Sequence, residues 1–253
     1  MLEIKNLSFR YNKSSPLILD DISFTLNESE ISIILSPNGE GKTTIIKLIN
    51  GILKKTSGDI SYNDIDLEKL KTNEKAKLIS YVAQENDIPY LTVYEVIMLG
   101  RTPYIRFKES KNDIKIVNDI IDEMHLNEFR NRDYNTLSGG EKQLVMIARA
   151  LAQEPKIIML DEPTSNLDIS KSINVSKILK ELTKEKNLIV LISMHDINLA
   201  LNLGDNFMLL KDTKIIQMGS TKIINEKIIK DVFNIDVKIK NERNKKYIVY
   251  ENI

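Results

Sequence analysis

The chain has 253 residues, enough for one large domain or two small ones, and its 42% hydrophobic residues are sufficient for a buried core, which argues against disorder. Its 36 basic and 36 acidic residues cancel, so no overall charge favours nucleic acid, and a chain without cysteine has no disulfide framework, thiolate zinc site or cysteine nucleophile. The N-terminus lacks a signal-peptide pattern, and the longest apolar runs are far shorter than the ~20 residues that span a bilayer, so any membrane role is expected to come through a partner.

The beginning of the chain has the pattern of β-strands. Apolar residues recur through residues 2–7, which precede the segment SFRY at 8–11, and residues 22–26 alternate apolar with polar side chains. The residues between these segments, 12–16, are typical of a turn. Half-buried, alternating strands of this kind predict an antiparallel sheet beside the main sheet of the protein.

A glycine-containing turn lies between an apolar run at residues 31–35 and a helical pattern at residues 45–49. We call it the phosphate loop, and it consists of Ser36, Pro37, Asn38, Gly39, Glu40, Gly41, Lys42, Thr43 and Thr44. In such a turn the backbone N–H groups and the helix N-terminus attract a polyphosphate. Lys42 is then expected to reach the β- and γ-phosphates, and the Thr43 hydroxyl to ligate Mg²⁺. The turn matches the pattern G-x-x-x-x-G-K-[ST] except at Ser36, and an ordinary strand-to-helix turn with a solvated lysine is the alternative.

Further short, continuously apolar runs indicate a main sheet. Residues 31–35, 157–160 and 188–192 are typical of strands that are buried on both faces, and residues 79–82 and 207–210 are weaker candidates. Together they predict a mainly parallel sheet covered by helices.

Helical patterns lie between these runs, with apolar side chains on one face at residues 114–124, 144–151 and 175–182. Residues of about 88–150 contain helical signals without a strong strand, so we expect them to form a helical insertion in the α/β core. Near the end of the chain, the polar residues 241–246 precede a segment that could form the last strand of a hairpin.

Two consecutive carboxylates, Asp161 and Glu162, follow the apolar run at residues 157–160. The C-terminal edge of a parallel sheet is where such folds place ligand chemistry. Asp161 is expected to hold Mg²⁺, through water, as the acidic partner of Thr43. Glu162 is expected to orient or deprotonate the water that attacks the γ-phosphate. An acid-rich surface turn is the alternative, and the preceding phosphate loop argues against it.

A second glycine-containing turn, LSGGE at residues 137–141, also opens a helical pattern. Its Ser138, Gly139 and Gly140, which we call the signature, would form another backbone anion site. A plain helix-start turn is the alternative. If the chain binds one nucleotide, a second phosphate-binding turn is unexpected in a monomer.

The phosphate loop, the signature and the segment LDEPTSNLD at residues 160–168 together resemble the ATP-binding subunit of ABC transporters, over nearly the whole chain. The resemblance implies an α/β fold with a P-loop NTPase core, a mainly parallel sheet, an N-terminal antiparallel β subdomain and an inserted α-helical subdomain. On this basis residues 2–240 form the nucleotide-binding domain, and residues 241–253 form a tail. The resemblance also implies a homodimer in which ATP lies between the phosphate loop of one subunit and the signature of the other.

Four further positions match the family. Gln84 matches the glutamine that senses Mg²⁺ and links to the membrane subunit, and Asp168 matches the acidic end of the loop that is exchanged across the dimer. His195 matches the switch histidine that contacts the γ-phosphate, and Tyr11 matches the aromatic residue that stacks on adenine. The resemblance therefore gives Lys42, Glu162 and His195 as catalytic residues. It gives Thr43, Asp161 and Gln84 as ligands of Mg²⁺. The other histidine, His125, fits no motif and is interpreted as structural.

Three positions depart from the family pattern, because Ser29, Ser36 and Thr213 stand where glycine is usual. If Ser36 adopted a glycine-like positive φ, the strain would be about 1–3 kcal/mol. If Ser36 is extended instead, serine costs little at this position.

The segment LTVYEVIMLGRTPY at residues 91–104 resembles importers for iron-siderophore, haem and cobalamin, in which this region meets the membrane subunit. Helical core explains its apolar residues equally well, and importers for manganese and zinc have similar segments. The resemblance implies a peripheral protein on the cytoplasmic face of the membrane. Its implied partners are two integral-membrane permease subunits and, indirectly, an extracellular substrate-binding protein, without nucleic acid. The alternatives are a soluble ABC ATPase, for example in iron–sulfur cluster assembly, and a nucleotide-binding regulator without turnover.

Overall fold

The structure, a computed structural model, describes residues 1–84, 88, 90–165, 167–242 and 245–250. The strands of this part of the chain are, in order, β1 Leu2–Phe9, β2 Leu19–Leu26, β3 Glu30–Leu35, β4 Ser57–Tyr62, β5 Ile65–Asp66, β6 Ile79–Val82, β7 Ile157–Asp161, β8 Ile189–Met194, β9 Asn206–Lys211, β10 Lys214–Ser220, β11 Val237–Glu242 and β12 Lys245–Tyr250. Its α-helices are α1 Lys42–Asn50, α2 Thr72–Leu78, α3 Val93–Met98, α4 Lys111–Glu123, α5 Gly139–Ala152, α6 Ile169–Glu185, α7 Ile197–Leu203 and α8 Glu226–Phe233. None of these helices is long and apolar enough to cross a bilayer.

The N-terminal strands form an antiparallel sheet in the spatial order β2-β1-β4-β5. Apolar residues alternate along β1, so that one face of this sheet is buried, as the alternation in the sequence predicts. The face packs toward the main sheet together with α1.

The main sheet has the order β10-β9-β3-β8-β7-β6, and its strands are parallel except for the pair β9–β10. All five apolar runs in the sequence correspond to strands of this sheet, namely β3, β6, β7, β8 and β9. Since the central strands are buried on both faces, they contain no alternation, and β7 and β8 are buried over their whole length. The predicted fold class is confirmed.

Helices α3, α4 and α5 follow β6 and precede β7, with short 3₁₀ turns between them. They cover the face of the main sheet opposite to the antiparallel sheet. Arg101 is fully buried here, and its guanidinium contacts Asp113 at 2.9 Å and Glu154 at 2.7 Å and stacks on the Tyr104 ring. This paired arginine ties the turn after α3 to α4 and to the end of α5. The limits of a helical subdomain at 88–150 stay a prediction.

The C-terminal part of the described chain contains α8 and the antiparallel hairpin of β11 and β12. The strand suggested after residue 246 is part of β12, and its partner β11 begins already at Val237. The limit proposed at residue 240 therefore lies within β11. The tail also includes residues 243, 244 and 251–253, which lie outside the described residues.

Candidate nucleotide site

The phosphate loop lies between the end of β3 and the start of α1. Gly39 and Gly41 have φ values of +88° and +98°, which L-residues rarely adopt. A Cβ atom on Gly41 would also lie 3.1 Å from the Ile18 side chain, so the loop requires glycine here for two reasons. With Gly41 before the first helical residue, Lys42, the free N–H groups of the first turn of α1 open toward the loop.

The backbone of Ser36 does not adopt a positive φ. The serine is buried, its hydroxyl donates to the Pro37 carbonyl oxygen at 2.9 Å, and its own carbonyl accepts from Lys42. The strain expected of a left-handed serine is therefore absent. The other two departures differ, since Ser29 and Thr213 have φ values of 61° and 68° and occupy the region that glycine prefers.

Lys42 is folded back over the phosphate loop. Its Nζ atom donates to the Ser36 carbonyl at 3.0 Å and to the Pro37 carbonyl at 3.3 Å, in a buried position. Burial lowers the pKa of Lys42, and the negative charges of Glu162, Asp161 and Glu40 oppose this shift. A phosphate bound in the loop would supply further negative charge and favour the ammonium form.

An open cleft of about 440 Å³ lies over the loop and holds most of the residues expected to bind nucleotide. Its lining residues are Tyr11, Ile18, Asn38, Gly39, Gly41, Lys42, Thr43, Thr44, Gln84 and Glu162. Tyr11 stands at its edge, 59% exposed, with its hydroxyl 3.4 Å from the Thr44 hydroxyl. An exposed ring at this place is available for stacking on a base.

The residues expected to hold Mg²⁺ lie partly together. The Thr43 hydroxyl donates to Asp161 Oδ1 at 3.0 Å, and the Tyr81 hydroxyl lies 3.5 Å from Asp161 Oδ2. Burial, together with the charge of Asp161, raises the pKa of Tyr81 to about 12, so the phenol remains a hydrogen-bond donor at neutral pH. Gln84 lines the same cleft but bonds to Glu162. One hydroxyl and one carboxylate fit Mg²⁺, which takes few protein ligands and completes its shell with phosphate and water.

Glu162 adopts an unusual backbone conformation directly after β7, with φ of 47°. The conformation is held by Ser193, since the Glu162 N–H donates to the Ser193 carbonyl at 3.1 Å and hydroxyl at 2.9 Å. Gln84 Nε2 donates to Glu162 Oε2 at 3.0 Å, and His195 Nδ1 lies 3.6 Å from the same oxygen. A strained residue with a doubly contacted carboxylate is typical of a functional position.

Ser193 is a residue of the site that the motifs did not reveal. It is fully buried near the end of β8, and its hydroxyl donates to Asp161 Oδ1 at 2.5 Å while accepting from the Glu162 N–H. One hydroxyl thus joins the carboxylate of Asp161 to the backbone of Glu162. In the sequence, Ser193 is the one polar residue of the otherwise apolar strand Ile189–Met194 and stands two residues before His195, which indicates a special role.

We expect Ser193→Ala to lower the free energy of unfolding by about 1–3 kcal/mol, because it removes buried hydrogen bonds, one of them to a carboxylate. ATP hydrolysis should fall as well, since Asp161 and Glu162 lose a shared support. Urea unfolding and phosphate release measure the two effects. Ser80→Ala is the matched control. Within the described residues the buried Ser80 hydroxyl in β6 has no hydrogen-bond partner, so its loss should change stability little. Equal effects of both variants would contradict this role of Ser193.

The signature lies at the start of α5, and its residues are not among those that line the cleft. Ser138 and Gly139 are exposed, and the Ser138 N–H donates to Glu141 Oε2 at 2.7 Å, which closes a capping box. Gly140 is covered by the Lys171 side chain, whose Cδ would lie 2.5 Å from a Cβ atom at this position. The structure therefore keeps the two phosphate-binding turns of one chain apart.

Asp168 caps the helix next to the signature. Its side chain accepts a hydrogen bond from the Lys171 N–H at 2.9 Å and pairs with Lys171 Nζ at 3.3 Å. The backbone hydrogen bond from Lys171 holds the pKa of Asp168 below its usual value. Residue 166 of the same loop lies outside the described residues.

The comparisons with known proteins agree with these motifs. Residues 19–165 match the family model described as ABC transporter. The chain is 41% identical, over 96% of its length and 95% of the relative, to an uncharacterized ABC transporter ATP-binding protein of Methanocaldococcus jannaschii. It is 36% identical, over 88% of each chain, to the "Probable iron chelatin transport ATP-binding protein" of Helicobacter pylori. It is 30% identical, over 99% of each chain, to the petrobactin import ATP-binding protein of Bacillus subtilis.

Two solved structures have the same fold. One is a metal-chelate type ABC transporter in an inward-facing conformation, with a TM-score of 0.85 and 27% identity over 99% of this chain and 96% of that chain. The other is a dimeric ATP-binding cassette in a post-hydrolysis state with ADP and Pi, with a TM-score of 0.76 and 31% identity over 87% of this chain and 98% of that chain. The chain belongs to the ABC transporter family, as an ATP-binding and ATP-hydrolysing subunit.

Proposed function

We propose that two copies of this chain bind two ATP molecules between them and use their hydrolysis to import an iron chelate, haem or cobalamin. The observation that carries the proposal is that Lys42, Thr43 and Glu162 line one cleft, with Asp161 hydrogen-bonded to Thr43, while the signature of the same chain is not among the lining residues. ATP in this cleft would contact the residues that bind and hydrolyse it, but it would not contact the signature of the same chain.

A second copy supplies the missing part. The signature combines exposed Ser138 and Gly139 with the N-terminus of the 14-residue helix α5, which favours an anion. When two copies face head to tail, Ser138 and Gly140 of one copy cover the γ-phosphate bound to the other. The likeness to a dimeric cassette with ADP and Pi supports this arrangement.

Within each site the side chains divide the work. Lys42 exchanges its two carbonyl partners for the β- and γ-phosphates, and its charge stabilises the transferring phosphoryl group. Bound Mg²⁺, held by Thr43 and Asp161, would neutralise phosphate charge. Glu162 orients and deprotonates the attacking water, and His195 reaches the γ-phosphate from beside Glu162. The hydrogen bond from Gln84 to Glu162 depends on whether nucleotide and Mg²⁺ occupy the cleft.

The chain would lie at the cytoplasmic face of the membrane as a peripheral protein. Its transport partners are two integral-membrane permease subunits and, indirectly, an extracellular binding protein. The surface around residues 91–104 supports a docking role, since Tyr90, Leu99 and Phe107 expose large apolar side chains there. Closure and reopening of the dimer would move this surface and switch the permease between its inward-facing and outward-facing conformations.

The substrate class follows from the resemblance of residues 91–104 and from the names of the relatives, which concern iron chelatin, petrobactin and a metal chelate. Importers of manganese or zinc ions form the second candidate because they have similar segments. A soluble ABC ATPase in iron–sulfur cluster assembly would lack a permease partner.

The test is co-expression with the permease, purification of the complex and reconstitution in proteoliposomes with the substrate-binding protein. We expect phosphate release to rise when that protein is loaded with a ferric chelate, haem or cobalamin, and to stay at the basal rate with Mn²⁺ or Zn²⁺. The control is the same complex carrying Glu162→Gln, which should release phosphate much more slowly in every condition. Stimulation by Mn²⁺ or Zn²⁺ alone would overturn the substrate class, and failure to bind any permease would favour the soluble alternative.

A further inference from the structure

The C-terminal hairpin lies against α7, the helix that follows His195. Asn198, in the first turn of α7, makes two hydrogen bonds to the backbone of Ile248 in β12. Asn198 Nδ2 donates to the Ile248 carbonyl at 3.0 Å, and the Ile248 N–H donates to Asn198 Oδ1 at 2.7 Å. An edge strand presents unpaired N–H and C=O groups, so this amide takes the place of a neighbouring strand for Ile248.

Apolar contacts reinforce this junction. Val237 of β11 and Ile248 of β12 are buried in the same core cluster as Ile197 and Ala200 of α7. The hairpin therefore packs on α7 through apolar side chains as well as through the amide of Asn198.

The other side of the hairpin is held by the segment before α8. Lys246 Nζ donates to the Thr221 carbonyl at 2.7 Å and to the Ile224 carbonyl at 2.6 Å. In β11, the Ile239 N–H donates to Glu226 Oε1 at 3.0 Å. The hairpin is therefore hydrogen-bonded both to α7 and to the segment around the start of α8.

His195 depends on its neighbours for its position. Its side chain is 54% exposed, and in the described part of the chain no hydrogen bond holds the imidazole, whose Nδ1 lies 3.6 Å from Glu162 Oε2. It follows β8 and precedes α7, which has seven residues and is too short to be stable alone. Asp196 caps this helix by accepting from the Leu199 N–H at 3.0 Å. The end of β8 and the placement of α7 therefore together decide where the imidazole lies.

We propose that Asn198 is a positioning residue for hydrolysis, which docks α7 on the C-terminal hairpin and thereby holds His195 at the γ-phosphate. The proposal rests on the proposed function, in which His195 contacts that phosphate. It gives the hairpin a role in the rate of hydrolysis although the hairpin lies outside the ATP cleft. Loss of the two hydrogen bonds releases α7 and moves the imidazole, while the phosphate loop keeps its affinity for ATP.

The test combines kinetics with a direct view of the histidine. The chain contains two histidines, so histidine labelled with ¹³C at the ring Cε1 alone gives one signal for His195 and one for His125, assigned with His125→Gln. In Asn198→Leu we expect the His195 signal to shift and the His125 signal to stay. We expect kcat to fall about 10- to 100-fold, as for a small misplacement of a catalytic group, with KM for ATP nearly unchanged.

The matched control is Asn202→Leu, one turn further along α7. Its exposed amide donates to the Asn198 carbonyl within the helix at 2.9 Å and is hydrogen-bonded to none of the hairpin residues that the structure describes, so both ring signals and kcat should stay as in the unaltered chain. An unchanged His195 signal in Asn198→Leu would overturn the proposal, as would a raised KM at constant kcat.

A second variant, Lys246→Met, loosens the hairpin from its other side and alters no residue of α7. We expect a smaller shift of the same His195 signal, and this variant decides the question if Asn198→Leu fails to fold. An unmoved signal would overturn the proposal. The ring signals do not require hydrolysis. If the unaltered chain does not hydrolyse ATP, the proposed function fails, and the signals still show whether the hairpin positions His195.

Discussion

Glu162→Gln is expected to bind ATP as well as the unaltered chain and to hydrolyse it about 10²- to 10⁴-fold more slowly. The substitution keeps the size of the side chain, and its amide oxygen still accepts from Gln84 Nε2, so the local structure should persist. The negative charge and the proton acceptor are lost, which removes general-base catalysis. A single negative charge less beside the triphosphate also favours the closed dimer. Phosphate release, equilibrium ATP binding and the dimer fraction in size-exclusion chromatography measure these effects.

The matched control for this variant is Glu185→Gln. Glu185 is exposed at the C-terminal end of α6 and does not line the cleft, so the substitution removes the same charge elsewhere. It should leave hydrolysis unchanged. Near-normal turnover in Glu162→Gln would show that another group activates the water, and the strained conformation of Glu162 would then need another explanation.

Lys42→Met is expected to weaken ATP binding about 10- to 100-fold and to abolish most hydrolysis. Methionine retains the stem, and it loses the ammonium group that would bind the β- and γ-phosphates. A charge-assisted hydrogen bond contributes about 1.5–3 kcal/mol, which corresponds to this range of affinity. The buried carbonyls of Ser36 and Pro37 also lose their donor, so a modest loss of stability accompanies the change. Calorimetric titration with ATP measures the affinity.

The pH dependence of ATP binding gives an independent check on Lys42. Burial lowers its pKa in the free protein, whereas phosphate favours the ammonium form, so ATP binding should take up a proton and weaken as the pH rises past the lowered pKa. Lys47→Met, in the same helix, is the control and should retain both the affinity and its pH dependence. An unaltered affinity in Lys42→Met would show that the backbone N–H groups alone bind the phosphates.

The strands could be predicted because burial on both faces leaves a continuous apolar run, which is visible without any knowledge of contacts. The same holds for the site residues at strand ends, since Asp161 and His195 follow such runs directly. Ser193 could not be assigned in this way. A serine in a strand is common, and its role arises only because β7 and β8 are parallel neighbours that bring its hydroxyl between the Asp161 carboxylate and the Glu162 N–H.

The sequence by itself determined the family, the five parallel strands of the main sheet and the residues of the phosphate loop, because hydrophobic runs and motif spacing are local properties of the chain. Only the tertiary structure decided that Ser36 is unstrained, that Ser193 joins Asp161 to Glu162, and that the hairpin contacts the helix after His195. These features depend on which distant segments pack together, and on the hydrogen bonds that their buried polar groups then require.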